Sequence, residues 1–474
     1  MGEDRRRRAK REGGSKVVTL GSAMHQKSGQ PERGDDGKGE AQANMSRDEA
    51  PLAWQQLDGS GRENLLRQVL SRENMAAAWK RVKANKGSAG VDGLSIEQTG
   101  GYIKEHWPQI RLELLNGTYR PQAVRRVEIP KPAGGQRELG IPTVLDRLIQ
   151  QALLQILQPL IDPGFSEFSY GFRPGRSAHD AVRQAQQYAQ DGYRIVVDVD
   201  LEKFFDLVNH DILMDRLAKR IADKAVLRLT RRYLQAGIMA DGVVSARDQG
   251  TPQGGPLSPL LANVLLDEVD KALEKRGHRF ARYADDCNVY VRSQSAGERV
   301  LRFLRKLYAK LHLRVNEKKT AVGSIFGRKF LGYCLRRWSG DTVKLAVATK
   351  ALHTFKQRIR GLTRRNGGRG MVQIAQQLRV YLPGWEAYFR LAQTPKTFGE
   401  LDSWIRRRLR AIQLKFWKRG TRMYSGLRAL GATNEVAAKI AAGGRHWWRA
   451  SRSKLLHLLL TVDYFDSLGV PRLT

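Results

Sequence analysis

The sequence is poor in cysteine, in acidic residues relative to basic ones, and in long apolar runs. Its two cysteines, Cys287 and Cys334, are too few for a disulfide framework and lack the CxxC spacing of a zinc site. No run reaches the roughly 18 apolar residues of a membrane-spanning helix, and the N-terminal residues carry no apolar secretory segment. These absences exclude a disulfide-stapled secreted scaffold and predict a cytoplasmic protein that does not contact a membrane.

The shortage of acids leaves a large positive charge. The chain has 474 residues, with 83 Lys+Arg against 47 Asp+Glu and a formal net charge of +36. Residues 351–474 hold 24 Lys+Arg and 6 Asp+Glu, so about a quarter of the chain carries half of the excess. Such a charge indicates a polyanionic partner, nucleic acid before membrane, and places the broadest contact in the C-terminal part.

The composition and the apolar periodicity of the chain change along its length. Residues 1–60 are rich in Gly, Gln, Ser and charge, which predicts a disordered basic arm whose RRRRAKR run contacts nucleic acid; a merely solvated tail is the alternative. The apolar spacing is helical from Glu63 to about Ala84 and from Leu145 to Ile161. From about Thr349 onward the sequence is helical, basic and rich in tryptophan.

Two stretches place acids beside strands. In YRIVVDVDL, Val197 and Val199 face one way, whereas Asp198 and Asp200 face the other. RFARYADDCNVYVRS predicts two short strands joined at a tip formed by adjacent aspartates. A cluster of three carboxylates offers hard oxygen ligands to two Mg²⁺ ions, the arrangement used for nucleotidyl transfer. A polar hairpin turn is the alternative reading of these acids.

Many sequence blocks together identify a family. They are NKGSAGVDG, IPKPAGGQRELGIPTVLDRLIQQAL, FSYGFRPGRSAHDAV, VVDVDLEKFFDLVNHD, QGTPQGGPLSPLLANVLLDEVD, RYADD, NEKKT, FLGY and PGWEAYFR. Over roughly residues 62–474 the chain resembles group II intron reverse transcriptases, also called intron-encoded maturases. The chain ends without the Cys pairs and clustered histidines of the family's endonuclease, so the resemblance is to the bacterial type lacking that domain.

The resemblance implies an α+β fold. It would be a right-hand polymerase, with fingers and a palm built on an antiparallel sheet, followed by an all-helical thumb or maturase domain. The implied boundaries are 61–340 for fingers and palm, 341–420 for the thumb, and 421–474 for a basic nucleic-acid-binding extension.

The same resemblance implies a catalytic set. Asp200 opens the D-x-x-x-F-F-D block, and Asp285 and Asp286 form the second acidic pair. Asp200 and Asp285 would hold two Mg²⁺ ions directly, with Asp286 in support. Asp198 is the competing candidate, and Asp206 is interpreted as structural.

Further residues would bind the incoming dNTP. Phe205 falls where related polymerases place the steric gate against a ribose 2′-hydroxyl; a simple core aromatic is the alternative. Lys131 and Arg137 bracket PAGGQ and match the cations that grip the triphosphate, against the alternative of chance surface charge.

A glycine-rich loop and a lysine complete the predicted nucleotide site. By resemblance Gln253 and Gly254, in TPQGGPLSPLLAN, would contact the sugar of the nucleotide and the template region. Lys319 falls where polymerases place a general acid for pyrophosphate, and Lys318 beside it is the competing candidate.

The basic C-terminal part would bind structured RNA. Its candidate contacts are the dense run Arg406, Arg407, Arg408 and Arg410, whereas Trp385 and Tyr388 are interpreted as core aromatics. A solvated helix face is the alternative for the arginines.

The resemblance therefore implies an RNA-directed DNA polymerase that copies intron RNA during retrohoming and acts as a maturase in splicing. Its partners would be group II intron RNA, an RNA template with a DNA primer, target DNA and dNTPs, and it would associate with the nucleoid when bound to DNA. The alternatives are a non-catalytic RNA-binding maturase and a related bacterial reverse transcriptase of defence or DNA repair.

Overall fold

The structure is a computed structural model that describes residues 64–130, 136–240, 243–245, 248–251, 254–365, 367–443 and 446–473. The predicted disordered arm, residues 1–60, lies outside these described residues. No helix in the described part is long and apolar enough to cross a membrane.

Helices and strands are mixed up to residue 347, and helices alone follow. The helices are α1 Leu65–Val69, α2 Arg72–Ala84, α3 Ile96–Asn116, α4 Val144–Ile161, α5 Ala178–Gln190, α6 His210–Ala218, α7 Lys224–Gln235, α8 Ser258–Lys275, α9 Gln294–Lys310, α10 Thr349–Leu362, α11 Met371–Phe389, α12 Pro395–Trp417, α13 Gly420–Ala429, α14 Asn434–Ala442, α15 Trp447–Ala450, α16 Lys454–Leu459 and α17 Val462–Ser467. The strands are β1 Val124–Pro130, β2 Gln136–Ile141, β3 Ile195–Val199, β4 Ile238–Ala240, β5 Val243–Ser245, β6 Arg279–Tyr283, β7 Asp286–Val291, β8 Ala321–Ser324, β9 Lys329–Phe330, β10 Tyr333–Arg337 and β11 Val343–Val347.

The central sheet has the strand order β6-β7-β3-β8, with every neighbouring pair antiparallel. Because side chains alternate along a strand, β3 sends Val197 into one apolar core and Val196 into another on the opposite face. This alternation confirms the pattern predicted from YRIVVDVDL.

The first core lies beneath one face of this sheet. It is formed mainly by α4 and α8, which bury side chains on nearly all of their faces. Helices α1, α2, α6, α7 and α9 complete it. Thr143 caps the start of helix α4 by accepting the Asp146 amide N–H on its side chain, and α4 matches the helix predicted from Leu145 to Ile161. A second sheet, of order β2-β1-β4-β5, contains one parallel pair, β1 with β4.

The second core joins the opposite face of the central sheet to the C-terminal helices. It contains α5, strands β10 and β11, and apolar residues of α10 to α17. Helix α5 is tied to this region by Gln186, whose amide donates to the Val343 carbonyl (2.8 Å). The predicted α+β architecture with a helical C-terminal part is confirmed. The β10–β11 hairpin spans residue 340, so within the described residues the change to helices follows Val347.

Candidate active site

The predicted hairpin of aspartates is observed at one end of the central sheet. Strands β6 and β7 pair up to Tyr283 and Asp286, which leaves Ala284 and Asp285 as a two-residue loop. Ala284 has a φ of 57°, in the left-handed region that such loops commonly fill with glycine. An alanine there costs about 1–2 kcal/mol, so the surroundings must hold the loop in this conformation.

Asp200 lies beside this loop. The pairing of β3 with β7 ends at Val199 opposite Cys287, and continuing the register places Asp200 opposite Asp286. Directly opposed residues of an antiparallel pair have Cα atoms about 4.5–5.5 Å apart. The sheet therefore brings Asp200 beside Asp286, the first residue of β7, and next to the loop that contains Asp285.

A neighbouring segment fixes the backbone of Asp200 on both sides. The Asp200 amide N–H donates to the Thr320 hydroxyl (3.2 Å), and the Asp200 carbonyl accepts the Asn316 amide N–H (2.8 Å). Lys319, of the same NEKKT block, directs its ammonium to the Asp200 carboxylate at 3.2 Å. Lys319 thus reaches the predicted site, although sequence reasoning did not identify Thr320 or Asn316.

Asp198 occupies a different environment on the same face. Its nearest cation is the Arg328 guanidinium, at 3.8 Å. Burial raises the pKa of the Asp198 carboxyl, Arg328 opposes this shift, and the Asp286 carboxylate adds to it. Asp198 therefore shares the electrostatic field of the predicted acids, and its side chain is as exposed as that of Asp200 (34% against 33%).

The donor chemistry of this end of the sheet fits a hard divalent cation. Asp200, Asp285 and Asp286 offer only carboxylate oxygens, which are the ligands that Mg²⁺ prefers. Across the described residues, no three His, Cys, Asp or Glu side chains are grouped closely enough to form a metal site. The Lys319 ammonium instead lies against Asp200, so a metal ion and Lys319 would compete for the same oxygens.

A fully buried arginine supports the hairpin from inside. Arg282, in β6, has no exposed surface and forms an ion pair with Asp270 of α8, which is equally buried. Its remaining N–H groups donate to Asn263 Oδ1 (2.9 Å) and Ser169 Oγ (2.7 Å). It also donates to the carbonyl of Ala284 at 2.9 Å, inside the loop itself. This ion pair fixes the acidic loop to α8, and sequence reasoning missed it although Arg282 stands in RYADDC.

Gly171 provides a second support for the loop. A Cβ at this position would lie 2.3 Å from the Ala284 nitrogen, so only glycine allows the two backbones to approach this closely. The neighbouring Tyr170 amide N–H donates to the Arg282 carbonyl at 2.8 Å. The segment containing Gly171 therefore braces the strained residue directly.

Phe205 lies next to the loop that precedes α8. Its ring is half-buried against the first core and packs edge-on against Phe204, with centroids 5.1 Å apart. Its carbonyl accepts the Thr251 amide N–H at 2.7 Å. Gly250, with a φ of 89°, comes close to the backbone of the same turn, where a Cβ would lie 2.9 Å from the Asp206 carbonyl oxygen. The glycine-rich loop is thus held against the predicted steric gate.

The same loop touches the β1–β2 hairpin. A Cβ on Gly254 would lie 2.6 Å from the carbonyl oxygen of Gly140, which belongs to β2. Arg137 is in β2, where its backbone pairs with Ile129; its side chain, together with Lys131 and Gln253, lies outside the described part of the structure. The structure therefore places Gly250 against the turn that holds Phe205, and Gly254 against the β2 backbone.

The structure corrects the prediction for two of the four C-terminal arginines. Arg406 is 1% exposed and forms ion pairs with Asp402 (3.1 Å) and Asp466 (2.9 Å). Arg410 is also buried and donates to the Leu460 carbonyl at 2.8 Å. Both side chains hold α12 to the last helices, so they are not available as RNA contacts. The spacing of four residues between Asp402 and Arg406 was the sequence feature that could have predicted an ion pair within the helix.

The other two arginines are more accessible. The guanidinium of Arg407 stacks over the Trp448 ring at 3.8 Å. Arg408 lies 5.3 Å over Trp404, and its pKa is lowered to about 10 because of burial and the nearby Arg360 and Arg365. Uncompensated like charges of this kind favour an anionic partner. Trp385 is buried in the second core, as the sequence predicted.

Comparison with known proteins follows the same division of the chain. Residues 129–335 match the model of the reverse transcriptase (RNA-dependent DNA polymerase) family, and residues 352–431 match that of the group II intron maturase-specific domain. Protein YkfC of Escherichia coli (strain K12) is 33% identical over 327 residues, which cover 60% of this chain and 86% of that protein. The chain belongs to the group II intron reverse transcriptase and maturase family.

Two intron-encoded relatives extend the comparison. Group II intron-encoded protein LtrA of Lactococcus lactis subsp. cremoris is 34% identical over 268 residues, covering 55% of this chain and 44% of LtrA. Putative COX1/OXI3 intron 1 protein of Saccharomyces cerevisiae is 30% identical over 223 residues, covering 46% of this chain and 26% of that protein. The matched part of the chain thus spans less than half the length of both relatives. The reverse transcriptase match includes β3 and the β6–β7 hairpin, and the maturase match includes α11 and α12.

Proposed function

We propose that this family member is an RNA-directed DNA polymerase that copies group II intron RNA into DNA and that it also binds this RNA to promote splicing. The observation that carries the proposal is the placement of Asp200 and the Asp285–Asp286 pair at one end of the central sheet, braced by Arg282 and Gly171. A chain that only bound RNA would gain nothing from a strained acidic loop supported by a buried ion pair.

Asp200, Asp285 and Asp286 would hold two Mg²⁺ ions. When bound, such ions activate the 3′-hydroxyl of the primer and neutralise the leaving pyrophosphate. The chain's own groups then divide the remaining tasks. Phe205 limits the space beside the sugar and so favours dNTP over rNTP. Lys319, whose side chain is 65% exposed, is free to move from Asp200 toward the phosphates as a proton donor. Lys131, Arg137, Gln253 and Gly254 would bind the nucleotide.

The maturase activity would use the helical C-terminal part. Arg407 presents a guanidinium group stacked on Trp448, an arrangement that binds phosphates with its N–H edge. Arg408 adds positive charge beside Trp404, while its Nε–H and one terminal N–H donate to Thr363. The net charge of +18 over residues 351–474 would make this contact strongly dependent on salt.

The proposal is tested by primer extension on an RNA template with dNTPs and Mg²⁺. The native chain is compared with Asp285→Ala/Asp286→Ala, and RNA binding and splicing of the neighbouring intron are measured in parallel. We expect cDNA only from the native chain, whereas RNA binding and splicing survive the double substitution.

Two outcomes would contradict the proposal. Splicing support without cDNA under any condition would leave a non-catalytic maturase. Polymerisation without any intron RNA near the gene, and without splicing, would instead favour a reverse transcriptase of defence or DNA repair.

A further inference from the structure

An open cavity of about 430 Å³ lies at the other end of the central sheet. It is bounded by the turn between α8 and β6, by the end of β7 and by the first turns of α9. Arg279 begins β6, six residues before Asp285, which corresponds to about 20 Å of extended chain. The cavity is therefore separate from the acidic loop.

Four arginines line this cavity: Arg276, Arg279, Arg292 and Arg299. In the part of the chain that the structure describes, none of them has a carboxylate within ion-pair distance, and no acidic residue lines the cavity. The two acids nearest in sequence are engaged elsewhere, since Glu274 accepts the Ser166 hydroxyl and Glu298 accepts the Gln294 amide. Four uncompensated positive charges around one concave space attract an anion.

Two of the guanidinium groups lie over the faces of aromatic rings. Arg276 stacks over Phe303 at 3.7 Å, and Arg292 stacks over Tyr193 at 4.9 Å. Stacking leaves the N–H edges of a guanidinium free for phosphate oxygens and its outer face free for a base. The guanidinium groups of Arg279 and Arg292 lower the pKa of the Tyr193 hydroxyl, which indicates that these groups lie close together.

We infer that this arginine cavity, Arg276, Arg279, Arg292 and Arg299 with Tyr193 and Phe303, binds one unpaired nucleotide of an RNA strand. The volume is of the size that encloses a small ligand, phosphates meet the guanidinium edges, and the base stacks on a guanidinium or ring face. An acidic peptide would use the charges and leave the flat faces without a partner. The choice of RNA rests on the proposed RNA-binding function, but the acids of the polymerase site take no part.

The test uses the full chain and a 12-nucleotide unstructured RNA that carries 4-thiouridine, which cross-links to adjacent side chains under ultraviolet light. We expect cross-linked peptides that contain Tyr193 or Phe303. In R276Q/R279Q/R292Q/R299Q these cross-links should disappear, the Kd for the RNA should rise about 10-fold, and the slope of log K against log salt should fall by about 2 to 3.

The matched control is R67Q/R72Q/R81Q/R111Q, which removes the same charge from exposed arginines of α1, α2 and α3. It should keep the cross-links at Tyr193 and Phe303. A conservative variant, R276K/R292K, keeps the positive charge but lacks the planar guanidinium groups that stack on rings and bases. We expect it to weaken RNA binding several-fold. It also keeps the inference testable if the fourfold glutamine variant does not fold.

The inference is overturned if cross-links map only outside the cavity, or if the two fourfold variants change the Kd and the salt slope equally. A DNA strand of the same sequence is measured beside the RNA, and equal cross-linking of both would overturn the assignment to RNA. Primer extension is not the readout, so a chain that polymerises nothing still tests the cavity.

Discussion

The two ends of the central sheet carry opposite charges and are built in different ways. At one end, Asp285 and its neighbours lie on a strained loop braced by the fully buried Arg282–Asp270 pair. At the other end, exposed guanidinium groups stack on half-buried rings and have no carboxylate partner within the described structure.

The difference fits the task proposed for each end. Metal ions and a reacting phosphate require carboxylates held within a fraction of an ångström, so buried hydrogen bonds and a close glycine contact fix the backbone of the loop. A flexible RNA strand requires positive charge and flat surfaces, which exposed arginines provide without fixed geometry. Substitutions should therefore have sharp effects at the acidic end and graded effects at the basic end.

The largest effect is expected from Asp200→Asn. Loss of the carboxylate should lower the rate of primer extension by about 10³-fold or more, as when a group that stabilises transition-state charge is removed. Asp198→Asn is the matched control, because it lies on the same face two residues earlier, and it should keep the rate within about 10-fold. Equal losses in single-turnover extension would show that Asp198 is also a catalytic acid.

Arg282→Met should be the next most damaging substitution. It leaves the Asp270 carboxylate buried without its cation, which costs about 3–5 kcal/mol of folding free energy, measured by chemical denaturation. The double variant Arg282→Met/Asp270→Leu removes both charges and should regain most of this stability. Its primer extension should stay low because the Ala284 carbonyl still lacks its donor.

A double variant that regained both stability and activity would contradict the role of Arg282 in positioning the acidic loop. The Arg282–Asp270 ion pair would then stabilise the core without positioning the acidic loop.

Gly171→Ala tests the close approach to the same loop. Its Cβ would meet the Ala284 backbone at 2.3 Å, so the loop must shift, and we expect a loss of about 1–3 kcal/mol with a lower kcat. Gly164→Ala is the control, since a Cβ there has no neighbour within 4 Å and the stability should change little. An active Gly171→Ala chain with a native melting temperature would refute the bracing contact.

The smallest effect on turnover is expected from Phe205→Val. The larger space beside the sugar should reduce the preference for dNTP over rNTP by about 10- to 200-fold, measured as the ratio of kcat/KM values. Phe204→Val, in the buried neighbouring ring, should lower the melting temperature and leave this ratio unchanged. If both variants only lower stability, Phe205 is a core aromatic.

Local patterns predicted the elements of the acidic end well. The alternation around Val197 and the apolar runs flanking Asp285 each identify a strand from neighbouring residues alone, and the structure confirms both strands. The resemblance added that the sheet is antiparallel, which periodicity cannot give, and the order β6-β7-β3-β8 was not predicted.

Contacts between distant segments could not be predicted in this way. Arg282 meets Ser169, 113 residues away in sequence, and no local pattern reveals such a partner. For the same reason Arg406 and Arg410 were predicted as RNA contacts, because a run of arginines on a helix does not show that Asp466 and the Leu460 carbonyl lie against two of them.

The second core has a consequence for synthesis of the chain. It joins α5 and the outer face of the central sheet to helices that begin at Thr349, so it stays incomplete while those helices are still being translated. At about 5–20 residues per second, the last 120 or so residues take roughly 6–25 s to emerge from the ribosome. During this interval the polymerase part exposes apolar surface such as Tyr333, whose ring packs against Phe389 in the complete fold. Chaperones would have to protect this surface until the maturase helices arrive.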